Sequence, residues 1–265
     1  MHPELFSRRV TTRMADRRIE YPPFRMDFQV SFDNEPEADD VALTIYNLRE
    51  DTINRVEAGQ TLTLAAGYGS DIGTILAGTI QEARAEWQDV DRALNLTVLD
   101  TVQDWARTPV SKSYAPGTPA SRIIRDLLGT YGLEVGRLSL PDDVQYAGGK
   151  VASGTLQSVL DEIARDCGAR ATFAAGSVNI APGYAGEREA VVLRYDTGLI
   201  ESPQRIVDAD DEKEYDVWCL LNHRIGPGSI VEIESMTANG WFRVIAGQHI
   251  CNDMDFMTHL EVVGV

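Results

Sequence analysis

"VALTIYNLREDTINRVEAGQTLTLAAGYG", residues 41–69, reads as a strand, a charged arch and a second strand. Val41, Leu43 and Ile45 alternate with Ala42, Thr44 and Tyr46, the period of a half-buried strand. Residues 47–52 then supply turn formers, and Ile53 and Val56, three apart, leave room for one helical turn. After Gly59 the alternation resumes with Leu62, Leu64, Ala66 and Tyr68. Upstream, Phe24, Met26, Phe28, Val30 and Phe32 alternate with Arg25, Asp27, Gln29 and Ser31 without an error in period. Further strands are expected near 74–81 and 94–99, separated by turns such as "GYGSDIG" and "WQDVDR". The N-terminal third therefore reads as an antiparallel barrel or sandwich.

The middle of the chain changes period. "GTPASRIIRDLLGTYGLEVG" from Gly117 and "GTLQSVLDEIARDCGARATF" from Gly154 each open with Gly-Thr, run a helix and stop at a glycine before a strand. Thr118 and Thr155 are the expected N-caps, Pro119 the first helical residue, and Gly132 and Gly168 the C′ residues. Ile123, Ile124, Leu127, Leu128 and Tyr131 share one face of the first helix. Leu156, Val159, Leu160, Ile163, Ala164 and Cys167 share one face of the second. Two such helix–strand units make a small α+β domain at roughly 110–182.

From about residue 190 the pattern returns to β, in "VVLRY", "VWCLL", "SIVEIES", "WFRVIAG" and "THLEVVGV". This second β region resembles the first. "DVDRALNLTV" at 89–98 aligns with "DMDFMTHLEV" at 253–262, an offset of 164. That alignment sets Asp89 on Asp253, Asp91 on Asp255, Leu96 on Leu260 and Val98 on Val262. Asn47 further pairs with Asn222 and Gly59 with Gly228, and the second copy lacks part of the arch.

Composition narrows the function. Hydrophobic residues at 43% suit a folded chain, and no run approaches the ~20 apolar residues of a membrane helix. The basic first twenty residues lack the apolar middle of a signal peptide, so synthesis and retention in a cytosol are expected. Three cysteines make no disulfide framework. A net charge of -17 repels phosphate and disfavours a nucleic-acid binder, though not a surface past which nucleic acid slides.

Chemistry is sparse. The histidines are His2, His223, His249 and His259. Cys219 with His223, and His249 with Cys251, have spacings able to ligate zinc, yet the strand pattern does not gather the four, and they read as ordinary strand and turn residues. The acidic run "DADDEKEYD" at 208–216 lacks the glycine and distal Glu of a calcium loop and reads as a solvated loop. Asp39–Asp40 and Asp142–Asp143 are loop neighbours, Cys167 lies on an apolar helix face, and Trp87, Trp105, Trp218 and Trp241 flank strands, to pack or to fill an interface. No nucleophile elbow, phosphate loop or metalloprotease helix is present. No catalytic, cofactor-binding or metal site is assigned, no cofactor is expected, and the chain is expected not to be an enzyme.

"LTIYNLREDTINRVEAGQTLTLAAGYGSDIGTILAGTI", "SKSYAPGTPASRIIRDLL", "SGTLQSVLDEIARDCGARATF" and "LLNHRIGPGSIVEIES…NGWFRVIAGQHICNDMDFMTHLEV" together resemble the baseplate or tail-tip hub proteins of tailed bacteriophages. Similar proteins occur in tailocins and contractile injection systems. The resemblance runs from about residue 24 to the end; the first twenty residues match nothing. It implies a mostly β, α+β chain: an N-terminal tube-type β-barrel domain at 1–108, a small α+β domain at 109–185, and a C-terminal tube-type β-domain at 186–265. It further implies a homotrimer whose six β-domains imitate a sixfold ring, with the arch of 47–58 packed outside the barrel wall. The implied partners are a tail tube or distal tail protein, a central spike or tail fibre protein and a tape measure protein. DNA would pass through the lumen without specific binding. The implied location is the virion tail tip, after synthesis in the host bacterial cytoplasm. A tail-associated peptidoglycan hydrolase and a secretin-like secretion module are the alternatives.

Overall fold

The computed structural model describes residues 7–14, 17–32, 40–100, 108–174, 177–182, 191–206 and 214–265. His2, Asp39, Trp105 and most of the acidic run at 208–216 lie outside them. In chain order the strands are β1 (Arg8–Met14), β2 (Arg17–Tyr21), β3 (Met26–Phe32) and β4 (Asp40–Tyr46), then the short helix α1 (Glu50–Ile53). There follow β5 (Thr61–Tyr68), β6 (Asp71–Gln88), β7 (Asp91–Asp100), β8 (Pro109–Tyr114), β9 (Thr118–Pro119) and helix α2 (Ala120–Thr130). Next come β10 (Glu134–Leu138), β11 (Gln145–Tyr146), β12 (Lys150–Thr155), helix α3 (Leu156–Asp166), β13 (Arg170–Ala174) and β14 (Ser177–Ala181). The chain ends with β15 (Val191–Leu193), β16 (Gln204–Arg205), β17 (Tyr215–Leu220), β18 (Ile230–Glu234), β19 (Asn239–Cys251) and β20 (Phe256–Gly264). The fold is α+β and mostly β, as expected. Among the described residues no helix is long and apolar enough to cross a membrane.

The described residues of Met1–Asn34, Asp39–Asp100 and Glu189–Val265 form one compact unit. It is built on a 13-stranded sheet of order β16-β17-β20-β19-β3-β4-β7-β6-β5-β1-β2, with β18 on β19 and β15 on β18. All its pairs are antiparallel except β15 with β18. The alternation read from the sequence is what packs it. Val41, Leu43, Ile45, Leu62, Leu64, Leu94, Leu96 and Val98 fill one core, and Ile53 and Val56 of the arch close over it. Val217, Val231, Ile233, Val244, Leu260 and Val262 fill a second.

Two readings of this unit change. Within the first twenty residues, which match nothing by resemblance, lie β1 and most of β2, paired antiparallel, with β1 laid on the edge of β5 from Arg8↔Tyr68 to Met14↔Leu62. The strand expected at 74–81 runs instead from Asp71 to Gln88. Residues 84–88 are exposed on both faces, so burial does not hold them, and backbone pairing with β7 extends the strand.

The described residues of Thr101–Arg188 form a second unit, in which α2 and α3 bury Ile123, Ile124, Leu127, Leu128, Leu156, Val159, Leu160, Ile163, Ala164 and Cys167 in one core. Thr155 caps α3 as expected, its hydroxyl accepting from the Ser158 amide at 3.2 Å. The expectation at Thr118 and Pro119 is corrected. The N-cap of α2 is Pro119, with an extended backbone (ψ 149°), and Thr118 lies in the β9–β11 pairing with its hydroxyl donating to the Ala115 carbonyl. A distant carboxylate takes over the cap: Asp143 accepts from the Ser121 amide at 2.8 Å and hydroxyl at 2.7 Å. Both helices stop where expected, with Gly132 and Gly168 at φ +70° and +69°. Gly129, inside α2, has open space where a Cβ would stand. Gly129→Ala is expected to stabilise this unit by about 0.5–1 kcal/mol, the helix-propensity difference, read as a higher unfolding midpoint. An unchanged or lowered midpoint would show that glycine is required there.

Candidate functional site: a repeated β module and its seam

The two halves of the β unit repeat one another in hydrogen-bonding detail. Four strands run β4-β7-β6-β5 in the first and β17-β20-β19-β18 in the second. In the first, Ile80 pairs with Val98, the register slips at Gln81, and Glu82 pairs with Thr97. In the second, Val244 pairs with Val262, the register slips at Ile245, and Ala246 pairs with Glu261. Each of these residues stands 164 positions after its counterpart, the offset read from the sequence. A bulge conserved in place between two copies is a designed bend.

The entry to the outermost of the four strands, β5 and β18, repeats as well. The Gly59 amide donates to the Ile80 carbonyl at 2.8 Å, and the Ile80 amide to Gln60 at 2.9 Å. The Gly228 amide donates to Val244 at 2.9 Å, and the Val244 amide to Ser229 at 2.9 Å. Both glycines are left-handed, at φ +87° and +77°, where a Cβ is disfavoured. The copies differ in the arch: α1 joins β4 to β5, whereas residues 221–229 join β17 to β18 without a helix.

β3 joins the modules. It pairs with β4 on one edge (Met26↔Ile45 to Gln29↔Ala42) and with β19 on the other (Cys251↔Phe28 to Gly247↔Phe32). Its inward residues Met26, Phe28 and Val30 belong to the first core, and Phe32 packs against the second. The Cys251 thiol donates to the Met26 carbonyl at 3.2 Å, and Gln29 Nε2 donates to Gln248 Oε1 at 2.5 Å.

Side chains clamp the same seam. Arg224 forms a bidentate pair with Asp71, both contacts at 2.6 Å, and so holds the Asp71 carboxyl below the usual carboxylate range. His223 stands 3.7 Å from Asp71, over Gly73, whose missing side chain makes room for the imidazole. The Tyr68 hydroxyl donates to the Phe256 carbonyl at 3.1 Å, and the two rings meet edge to face at 5.1 Å. Arg25 bridges Asp27 at 2.7 Å and Asp253 at 2.8 Å while covering the Tyr46 ring.

Of the residues with zinc-like spacing, His223, His249 and Cys251 lie along this seam and Cys219 in the core of the second module, and they do not form a ligand shell. His249 and Cys219 are both directly opposite Thr258, on either side of β20. The Thr258 hydroxyl accepts from the Asn222 amide at 3.1 Å and lies 2.9 Å from His249 Nδ1. His249 also bonds the backbone of Ile225, and burial pushes its pKa down to about 3, so the ring is neutral. A neutral imidazole carries a single N–H, so Nδ1 and the Thr258 hydroxyl share one hydrogen between them. Burial pushes the Cys219 and Cys251 thiols up to about 12, so both stay protonated at neutral pH. Among the described residues no three His, Cys, Asp or Glu side chains gather to hold a metal.

Of the tryptophans, Trp218 stacks on His259 at 4.4 Å, whereas Trp87 is 71% exposed at the far end of β6. The Asp71–Arg224 clamp has no local signature, because its partners are joined only by the fold.

No family profile matches the sequence, and no curated protein matches it. Solved structures do. A 43 kDa tail protein of prophage MuSo2 from Shewanella oneidensis superposes with a TM-score of 0.68 at 8% identity, over 97% of each chain. The tail protein from Neisseria meningitidis MC58 gives 0.60 at 12% identity, over 97% of this chain and 96% of that one. This chain has a tail-protein fold. The E. coli c3393 protein shares that fold at a TM-score of 0.57 and 9% identity, over 97% of this chain and 73% of that one. It is a component of the type VI secretion system with structural similarity to the T4 bacteriophage tail proteins gp27 and gp5. The tail-protein fold thus extends from one end of the described chain to the other, including both copies of the module.

Proposed function

We propose that this chain is a structural baseplate or tail-tip hub protein of a tailed phage or a related injection machine. The observation that carries the reading is the repeated module: one chain holds two β modules with the same strand order, bulge and entry hydrogen bonds. Three chains then present six alike modules, which matches a threefold spike to a hexameric tube. The full-length likeness to tail proteins supports the same reading. On this reading the modules at 1–108 and 186–265 form the ring and the α+β domain at 109–185 is an accessory. The partners are a tail tube or distal tail protein, a central spike or fibre, and a tape measure protein. The chain is made in the bacterial cytoplasm, resides in the virion tail and has no catalytic role.

Native mass spectrometry tests the assembly. A three-chain species, alone or bound to a tube or spike partner, is the expected result; a two-chain species overturns the ring. Charge supplies a second test. With a net charge of -17 per chain, a lumen built from this protein repels phosphate. No retention of double-stranded DNA is expected even at about 50 mM salt, where counterion release most favours binding. Saturable retention would contradict a lumen through which DNA slides freely.

A further inference from the structure

The outer face of β2, β1, β5 and β6 carries a cleft of about 250 Å³. On β1 the buried Val10, Thr12 and Met14 alternate with Arg9, Thr11 and Arg13, which therefore stand on the face away from the first core. The register sets Arg13 directly opposite Arg18 of β2 on one side and Thr63 of β5 on the other. In the next row Thr11 lies opposite Ala65, and Ala65 opposite Thr74 of β6. Arg13, Arg18, Thr11, Thr63 and Thr74 are the polar side chains of the cleft, and its other lining residues are apolar or glycine.

The charge of this patch is opposite to that of the chain. Acidic residues outnumber basic ones 41 to 24 over the whole sequence, yet no Asp or Glu lines the cleft. Two arginines directly opposite on one face of an antiparallel pair repel one another. Arg18 has a counter-charge, its Nε donating to Glu20 at 2.6 Å, but among the described residues Arg9 and Arg13 form no ion pair. The hydroxyls of Thr11, Thr63 and Thr74 have no hydrogen-bond partner among them either. The cleft thus offers guanidinium and hydroxyl donors and lacks an acceptor-only group. Three guanidiniums (Arg9, Arg13 and Arg18) less one carboxylate (Glu20) leave two positive charges on this face.

The volume limits the ligand. Pockets for drug-sized molecules begin at about 300 Å³, so this cleft seats a small ion rather than a nucleotide. We propose that it binds a small tetrahedral dianion of the class of inorganic phosphate, with Arg13 and Arg18 as the clamp and the three threonine hydroxyls as further donors. A planar guanidinium fork matches phosphate oxygens two at a time, and the bound dianion offsets the repulsion between the arginines. The net charge of -17 does not prevent this, because at about 0.1 M salt charges farther away than about 10 Å are largely screened. A stiff DNA duplex meets the whole acidic surface, whereas a small ion meets only the cleft. The site stands on the geometry of these four strands and is independent of the hub reading.

Phosphorus NMR of inorganic phosphate with the full chain, at constant ionic strength, tests the site. Saturable line broadening is expected, reversed by sulfate and not by acetate at equal concentration. Arg13→Gln is expected to weaken binding about tenfold or more, the loss of one charge-assisted contact. Arg49→Gln, at an exposed arginine outside the cleft, should leave binding unchanged. Because Arg13→Gln also removes a like-charge pair, its unfolding midpoint without phosphate should equal or exceed that of wild type. Added phosphate should then raise the wild-type midpoint more than the variant's. Absence of saturation, equal binding by Arg13→Gln, or equal loss in Arg49→Gln overturns the proposal. Acetate competing as well as sulfate would make the cleft a carboxylate site and overturns it too. A midpoint lowered by Arg13→Gln without phosphate would show a structural arginine rather than a clamp. Saturable retention of double-stranded DNA, lost in Arg13→Gln, would assign the face to nucleic acid and overturn the small-ion reading.

Discussion

Gly247→Val is expected to cost about 3 kcal/mol and to release the two β modules from one another. Gly247 lies where β19 passes between β20 and β3. A Cβ built there collides with the backbone carbonyl of His259 and comes within 2.7 Å of the Phe32 ring. The ring can rotate away, but the carbonyl belongs to a paired strand, so relief requires β19 to move. Overpacking of a filled site costs about 1–3 kcal/mol by itself, and separating β3 from β19 adds lost backbone pairing. The variant should show a lower urea midpoint and new proteolytic cleavage near residues 26–32. A midpoint equal to wild type, with β3 still protected from amide exchange, would show that β3 does not hold the modules together.

Acid is expected to weaken the seam well before the carboxylates titrate. His249 is neutral in the folded chain because burial holds its pKa near 3, whereas in the unfolded chain it titrates near the ordinary imidazole value of 6.5. Between those values the unfolded state binds a proton that the folded state does not. Stability is therefore highest above pH 6.5 and falls as pH drops toward 3, by up to about 1.4 kcal/mol per pH unit for this one group. His223 is shifted the same way, by burial and then by Arg224, and adds to the slope. Asp71, held low by Arg224, contributes only in more acid solution. Chemical denaturation between pH 7 and pH 4.5 reads the histidine window. His249→Gln should be less stable at pH 7, by about 1–3 kcal/mol for the disturbed hydrogen bonds, but lose less stability on acidification. An identical pH slope in the variant would mean that His249 is protonated in the folded chain.

The cap of α2 and the length of β6 show where reading a linear chain stops. The arch at 47–58 was legible because a strand, a charged turn and an Ile53–Val56 spacing are local, and each has its own period. The helices of the α+β unit were legible for the same reason, down to the glycines that end them. The cap of α2 was not. Thr118 has the right chemistry at the right position, but Asp143 supplies the oxygen from beyond the helix, and no spacing rule connects Asp143 to Ser121. The length of β6 was missed too: Ala83, Ala85 and Trp87 alternate with Glu82, Arg84 and Glu86, but two of the three apolar positions are alanine and the stretch is mostly solvent-exposed, so the signal is weak.

By itself the sequence determined the β, α+β, β order, the core-facing residues of β3, β4 and β5 and of the two long helices, and a repeat at an offset of 164. These follow from burial, which acts residue by residue and leaves its period in the chain. Only the tertiary structure decided that the two β regions share one sheet through β3, and that Asp71 meets Arg224. It also decided that His223, His249 and Cys251 lie along the seam, with Cys219 in the core of the second module. Each of those facts is a pairing between distant segments. Backbone pairing is blind to side-chain identity, and a lone clamp such as Asp71–Arg224 is two ordinary surface residues until the fold sets them 2.6 Å apart.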